Sequence, residues 1–523
     1  MPASFELAQT KTQNFPDLEN KIIRHINVLR YNVFDLDNPK ENNAIYRWLN
    51  SLHIVSTEAT VREDLLFKTG SIYKDVSLTE SERILRRRKY IYDANVRPVS
   101  VCNKYVDIEV ATRDTWTITP GFSVSHSGGE TSTKISITES NLFGSGKLLS
   151  LSKADTDERT EYTLRYRDPN IAGSRRTTSI ELSENSDGQR QFAEFSLPFY
   201  SLDSKRAYSF NIQNEQRLDP IYVQKDKLYE IEHDIAHYNF SYGVSKGFIA
   251  NKTNRWRYGV SYQIDDFTHT FDNITHRTNR RLIYPWLEFS TIANNFEKIQ
   301  NFRSIKRTED INLGRSLHLK LGYSHQGIAD DDSRYIVDFG SNNAFKQGPQ
   351  LVTVGGTING YWNNTTKKIE GMLVKFQTEY YQFMNKDWVF YGGIKANYLA
   401  NPMVEQQLFL GGETGLRGYP IRFSEGTKNI VLSLEQRYYS DSYFLQLVRL
   451  GAAVYVDIGR SWGPQLAQSP VKHGWHSNIG VGLRLTPSRI DANHVVHVDL
   501  ATPLNDRSDI DSMQLIVKVK QSF

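Results

Sequence analysis

Four short stretches carry residues whose types and spacing could do chemistry. The run "LFLGGETGLRGYPIRF" (408–423) sets Arg417 between Leu416 and Gly418 in a glycine-rich loop. Glycine lets backbone approach closely, and a planar guanidinium can grip a carboxylate through two parallel hydrogen bonds. "GVSKG" (243–247) fits the G-x-S-x-G pattern of a nucleophile elbow, which needs a strand–turn–helix setting. "EHDIAH" puts His233 and His237 four apart, a metal-like spacing on a helix, and "NLFGSGKLLS" echoes a phosphate-binding loop. Their surroundings weaken the last three. GVSKG lies within "YNFSYGVSKGF", a strand alternation with no helix after it, and the histidine pair's flanks read as a hairpin approaching a strand. His494 and His497 fall on opposite strand faces, and Asn141 stands where the first glycine of a phosphate loop belongs. No catalytic residue, metal ligand or cofactor is expected, and the chain is not expected to be an enzyme.

Arg417 needs a larger frame to place it. A chain of 523 residues is too long for one ordinary globular core, and it has no run of 18 apolar residues for a membrane-spanning helix. Hydrophobic residues make up 39% and aromatics 12%, a balance that a barrel with a polar lumen and aromatic girdles accommodates. A net charge of +4 is too balanced for nucleic acid binding, and "ILRRRKY" (84–90) reads as the solvated face of a helix. The single Cys102 excludes an intramolecular disulfide. "MPASFELAQTKTQ" lacks the basic and apolar regions of a secretory signal, so a mature or truncated start is expected.

Two regions differ in period. Residues 16–114 mix helices and strands. "IIRHINVLRYNVF" (22–34) is β-rich, and "ENNAIYRWLNSL" (41–52) places Ile45, Trp48, Leu49 and Leu52 on one apolar helix face. A second helix is expected over 57–70, ended by Gly70. A third, over 77–94, would open on a capping box, Ser77 to Glu80 or Thr79 to Glu82. Two strands follow, the second alternating Val106, Ile108 and Val110 against Asp107 and Glu109.

From 115 to 523 period-2 segments recur. "NIVLSLEQRYY" opposes Ile430, Leu432 and Leu434 to Ser433, Glu435 and Arg437; "GAAVYVDIG" opposes Val454, Val456 and Ile458 to Tyr455 and Asp457. "MQLIVKVKQSF" opposes Leu515, Val517, Val519 and Phe523 to Lys518 and Lys520. Runs of about 9–11 residues suit tilted transmembrane strands. Roughly nineteen such runs, an overcount if some form one strand, make an all-β transmembrane barrel the best reading.

With the strands in place, the chain resembles BamA-like outer-membrane assembly proteins of the bacterial surface antigen superfamily. The N-terminal unit is similar to one polypeptide-transport-associated (POTRA) domain. "ESNLFGSGK", "YRDPNIAG", "LGGETGLRGYP" and "VYVDIGRSWG" resemble that family's motifs in order and spacing, and Phe523 resembles its aromatic-terminated insertion signal. The resemblance implies a sixteen-stranded barrel in a Gram-negative outer membrane with a periplasmic POTRA domain. It also implies that the loop at about 401–428, after the eleventh strand, folds into the lumen so that its arginine meets acids on the wall. Register agrees independently, because Glu435 and Asp457 both fall on the polar face of successive strands. A loop lock of Arg417, Gly418 and Tyr419 with Asp457, and Glu435 as second acceptor, is therefore expected.

The function implied is insertion or translocation of client polypeptide at a seam between first and last strands, with the POTRA domain guiding clients or meeting accessory proteins. Pro120 cannot donate a ladder hydrogen bond and Gly121 packs no side chain, which would weaken the first strand's side of that seam. The lipid bilayer is the other partner. A passive porin-like channel and a dedicated two-partner-type secretion pore are the rivals.

Overall fold

The computed structural model describes residues 15–523 apart from 16–17, 128–129, 224–225, 272–273, 330–331, 445–446, 465–473, 491–494, 506–509 and 521–523. The N-terminal domain runs β1 (Ile22–Tyr31), α1 (Ala44–Leu52), α2 (Glu58–Glu63), α3 (Asp75–Arg86), β2 (Ile91–Cys102) and β3 (Tyr105–Asp114). β3 is central, parallel to β1 and antiparallel to β2. Its alternating Val106, Ile108 and Val110 are fully buried against Ile23, Leu78 and Leu85.

α2 (Glu58–Glu63) and α3 (Asp75–Arg86) are shorter than the helices expected over 57–70 and 77–94, while α1 lies within its expected span. α3 starts at Asp75, ahead of both capping boxes, and has no side-chain cap. Glu80 instead accepts from the Leu202 amide at 2.8 Å, and Glu82 from the Val96 amide at 3.0 Å. Acids that looked like caps tie the helix to neighbouring backbone. In α1 the buried residues are Tyr46 and Asn50, while Ile45, Trp48 and Leu52 face outward. The reason is local: the Asn50 amide bonds both the N–H and the C=O of Phe34, and Phe34 stacks on Tyr46 at 4.5 Å. Those contacts seat the helix by its polar and aromatic side.

Among the described residues the rest of the chain forms a barrel of 20 antiparallel strands, against the sixteen implied by the resemblance. The excess precedes the inward loop, which follows the fifteenth strand (Trp388–Ala400) rather than the eleventh; five strands follow it. A tally of period-2 runs lay closer, because each strand leaves its own alternation in the sequence whatever other barrels contain. Strands one to six have 8–10 residues, whereas strands seven to ten (Arg206–Val223, Asp226–Ile249, Lys252–Phe271 and Ile274–Ala293) have 18–24. Outward faces are apolar: Ile118, Phe122, Val454, Val481 and Leu515 are exposed while Glu435, Tyr455, Asp457 and Arg484 are buried inside. Among the described residues no helix is long and apolar enough to cross a membrane.

The tenth and eleventh strands are joined by an element the sequence did not reveal. A hairpin (Phe296–Gln300 with Thr308–Asn312) leaves the wall at the end bearing the N-terminal domain. Its Ile299, Phe302 and Ile305 pack on buried wall residues Leu351, Tyr381, Tyr391 and Tyr439. Its base meets α3: Arg86 grips Asp310 through two bonds of 2.8 and 2.7 Å, Lys298 pairs Glu82, and Arg83 lies over Phe296 at 4.4 Å. So the basic run 84–90 is not simply a solvated face; Arg86 binds this hairpin, and Arg88 bonds Asp64 at 2.7 Å.

Candidate functional site

The loop of residues 401–427 enters the lumen and buries its own apolar side chains there. Leu410, Leu416, Tyr419 and Phe423 cluster with Val431 of the sixteenth strand (Lys428–Phe444). Burial of that cluster carries Arg417 to the wall, where only 6% of the residue stays exposed. Its Nε donates to Asp457 Oδ2 at 2.8 Å and its Nη2 to Oδ1 at 2.7 Å, the two-pronged geometry that fixes a guanidinium in orientation. Nη2 also lies 2.8 Å from Glu435 Oε1. Burial opposes the Arg417 charge, but Asp457 and Glu435 outweigh it, so its pKa sits well above the ordinary range and the side chain stays cationic. Gly418 is required by proximity: a Cβ there would lie 2.5 Å from Asn478 Cβ. The Tyr419 hydroxyl lies within hydrogen-bond distance of Ser477 O at 3.1 Å and Asn505 Oδ1 at 2.6 Å.

The anchor has members that alternation did not single out. Tyr455, two residues before Asp457 on the same inward face, lies under Arg417 with its ring centre 3.3 Å away. Asn478 donates to Asp457 at 2.9 Å, and Arg437 donates to Glu435 at 2.8 Å. Tyr455 and Arg437 shared the register of the two acids, so parity could have found them; Asn478 sits on a third strand.

The loop also reaches across the lumen. Arg422 pairs Asp157 and Glu158 at 3.0 and 3.2 Å and lies over Tyr222, and Glu405 pairs Arg280 at 3.0 Å. Lys518 of the last strand (Gln514–Lys520) donates to Gly412 O at 3.0 Å.

The seam differs. The first strand (Ile118–Ser127) pairs with the second over ten positions and the last strand with the nineteenth over seven. Across the seam the one described pair is Val517 with His126. Pro120 and Gly121 lie earlier on the first strand, opposite Ile137 and Ser136 of the second, and have no described partner across the seam. Leu515, Val517 and Val519 lie on the last strand, Leu515 and Val519 exposed outward; Phe523 falls outside the described residues.

GVSKG and the histidine pair are placed on strands, and NLFGSGKLLS forms the turn between the second and third strands and enters the third. Ser245 donates to Asn254 O within the Asp226–Ile249 hairpin arm. His233 lies between Asp219 at 2.7 Å and Asp265 at 3.2 Å, with His237 3.4 Å from Asp265. Among the described residues no group of three His, Cys, Asp or Glu side chains has an arrangement that could hold a metal ion. His497 is buried, and His494 lies outside the described residues.

No family model matches the chain, and no curated protein matches it. Among solved structures it is similar to BamA of Haemophilus ducreyi lacking POTRA domains 1–3, with 14% identity over 96% of this chain and 84% of that one and a TM-score of 0.43. It is also similar to CdiB of Escherichia coli (11% identity, 97% and 77% covered, TM-score 0.49) and CdiB of Acinetobacter baumannii (11%, 95% and 73%, 0.45). At such identities the functional reading has to be carried by the chain's own residues.

Proposed function

We propose that the protein is an outer-membrane assembly or translocation barrel of the BamA-like type, working without covalent chemistry in a Gram-negative outer membrane. On this reading the N-terminal domain is a single POTRA domain in the periplasm, and the outward apolar faces meet lipid. The observation that carries it is the seam: one described pair between two strands that are fully paired on their other sides. Unpaired backbone donors and acceptors are costly in lipid, so a seam of this kind favours an incoming strand that would satisfy them. The loop lock of Arg417, Gly418 and Tyr419 with Asp457 and Glu435 then holds the wall behind the seam while the seam changes partners. The Leu515, Val517, Val519 and Phe523 pattern serves the barrel's own insertion, and Pro120 with Gly121 keeps the near end of the first strand a poor partner.

A secretion pore for a dedicated partner is the second reading, and the wide 20-stranded wall favours it. Against it, the loop and the hairpin both occupy the lumen. Tethering the seam tests the choice. His126→Cys with Val517→Cys, in a Cys102→Ser background, places two thiols on directly paired residues. Assembly at the seam predicts that oxidation abolishes delivery of outer-membrane clients and that reductant restores it. Full activity with the seam closed overturns the assembly reading and leaves traffic through the lumen. Depletion with no change in the outer-membrane or secreted proteome overturns both.

A further inference from the structure

The inverted helix α1 has an unusual surface. Ile45 is 66% exposed, Trp48 60% and Leu52 48%, all on one face, and Ile54 just beyond is 55% exposed. Soluble domains seldom present four large apolar side chains together, and such clusters mark contact sites. The opposite face is held firmly. Tyr46 packs with Val33 and Phe34, with Trp116 and Leu447 against them, and Arg489 bonds Val33 O at 3.1 Å and Glu41 at 2.5 Å. The helix therefore has no room to roll its apolar face inward.

Its neighbours lie at one barrel rim. Leu447 follows the sixteenth strand, Arg489 follows the eighteenth, and Trp116 leads into the first. Beyond the helix, Thr57 N bonds Gly144 O at 2.9 Å, and a Cβ on Gly144 would lie 3.4 Å from Ile54 Cγ2. Gly144 belongs to the turn after the second strand, whose Phe143 is 76% exposed. The segment from Ala44 to Thr57 thus spans the rim from the sixteenth strand to the turn between the second and third, passing beneath the seam. At that rim the wall's own outward apolar residues begin, with Ile118 of the first strand exposed.

We infer that α1 is a membrane-surface anchor: its Ile45, Trp48 and Leu52 face, with Ile54 and Phe143, enters the headgroup boundary of the leaflet on the N-terminal-domain side, beneath the seam. The inference rests on the barrel reading above, which supplies the bilayer. The occupant is lipid because the segment is tied to the rim where the wall's outward apolar residues begin, through Arg489 to Val33 O and Thr57 N to Gly144 O. The residue types agree, with tryptophan and large aliphatics on the exposed side as in helices that lie in an interface, while Tyr46 and Asn50 are buried on the other.

The test uses the full chain in phosphatidylcholine/phosphatidylglycerol vesicles, in a Cys102→Ser background. An environment-sensitive fluorophore is attached at Trp48→Cys, at Phe122→Cys on the wall, or at Lys40→Cys as an exposed polar control. Nitroxides are then supplied on the lipid headgroup region or in the water. The expected result is lipid-nitroxide quenching at position 48 within about twofold of that at 122, and little at 40. Quenching at 122 but only aqueous quenching at 48 overturns the inference and leaves the barrel reading intact. Failure at 122 as well overturns the barrel reading itself. Shielding at 48 that appears only on adding a client peptide, or that scales with protein density in the vesicle, assigns the face to a client or to a second copy and also overturns it. Ile45→Ser with Leu52→Ser, which leaves Tyr46 and Asn50 in place, should lower lipid quenching at 48 severalfold while the 122 signal is unchanged.

Discussion

Within the same few strands the barrel wall has a joint locked by buried charges and a joint with one described pair. At the sixteenth and seventeenth strands a buried guanidinium, two carboxylates, an aromatic face and an amide from the eighteenth strand converge on one point. Three strands further, the wall closes on one described pair. The two joints use different physics. The anchor is electrostatic and buried, so removing one member leaves the others as uncompensated charges. The seam is a short backbone ladder, and each lost bond is worth little on its own. One joint is expensive to break and the other inexpensive to exchange, which suits the proposed exchange of partners at the seam.

That contrast can be broken most forcefully at Arg417. Arg417→Asp should destabilise the barrel by about 3–5 kcal/mol, because Asp457 and Glu435 then face a third carboxylate in a buried setting. Urea titration with heat-modifiable gel migration measures it, and the reciprocal change Arg417→Asp with Asp457→Arg should recover part of the loss. Two harmless single changes would mean that the loop is held by other contacts. A smaller effect separates the joints directly. In hydrogen exchange, seam-side amides of the first and last strands should exchange at least about tenfold faster than those shared by the sixteenth and seventeenth. Equal protection would mean that the seam is as firm as the rest. Tyr419→Phe removes only the hydroxyl that meets Ser477 and Asn505, and should cost about 1 kcal/mol by the same titration.

The smallest effect concerns the hairpin in the barrel mouth. Burial pushes the Glu309 carboxyl up from its ordinary pKa, although it accepts from the Arg303 and Ser304 amides and faces Arg303 and Arg307. A carboxyl raised on folding stabilises while protonated, and that contribution is lost as pH rises through the raised value. Glu309→Gln should therefore slow exchange of the hairpin amides at pH about 7, with the advantage gone near pH about 4. A variant that exchanges faster at neutral pH would show that the charged form holds the hairpin.

How much of the molecule could be read from its sequence depended on the range of the forces. Alternation is local, so Ile430, Leu432, Val454 and Val456 announced the outward face, and Glu435 and Asp457 the inward one. Arg417 could be assigned acids in the lumen because it needed only parity and a reason to turn inward. The strand total went astray because it was taken from likeness to other barrels. Which way α1 faces was not legible because amphipathicity names an apolar face without saying what covers it; two bonds from Asn50 to Phe34 decided the matter from outside the helix. The hairpin at 296–312 was hidden for a related reason: its apolar residues pack on Tyr381 and Tyr439, more than 70 positions away in sequence.

The Lys518–Gly412 contact ties the strand at the seam to the inward loop. It joins the last strand to the inward loop, and the loop in turn is held by Arg417 on one side of the lumen and by Arg422 on the other. In mechanical terms the wall is a hoop with one weak weld, and the loop is a spoke fastened beside that weld. On the proposed function, a last strand released at the weld would stay on a tether about one lysine side chain long, within reach of the edge it had left.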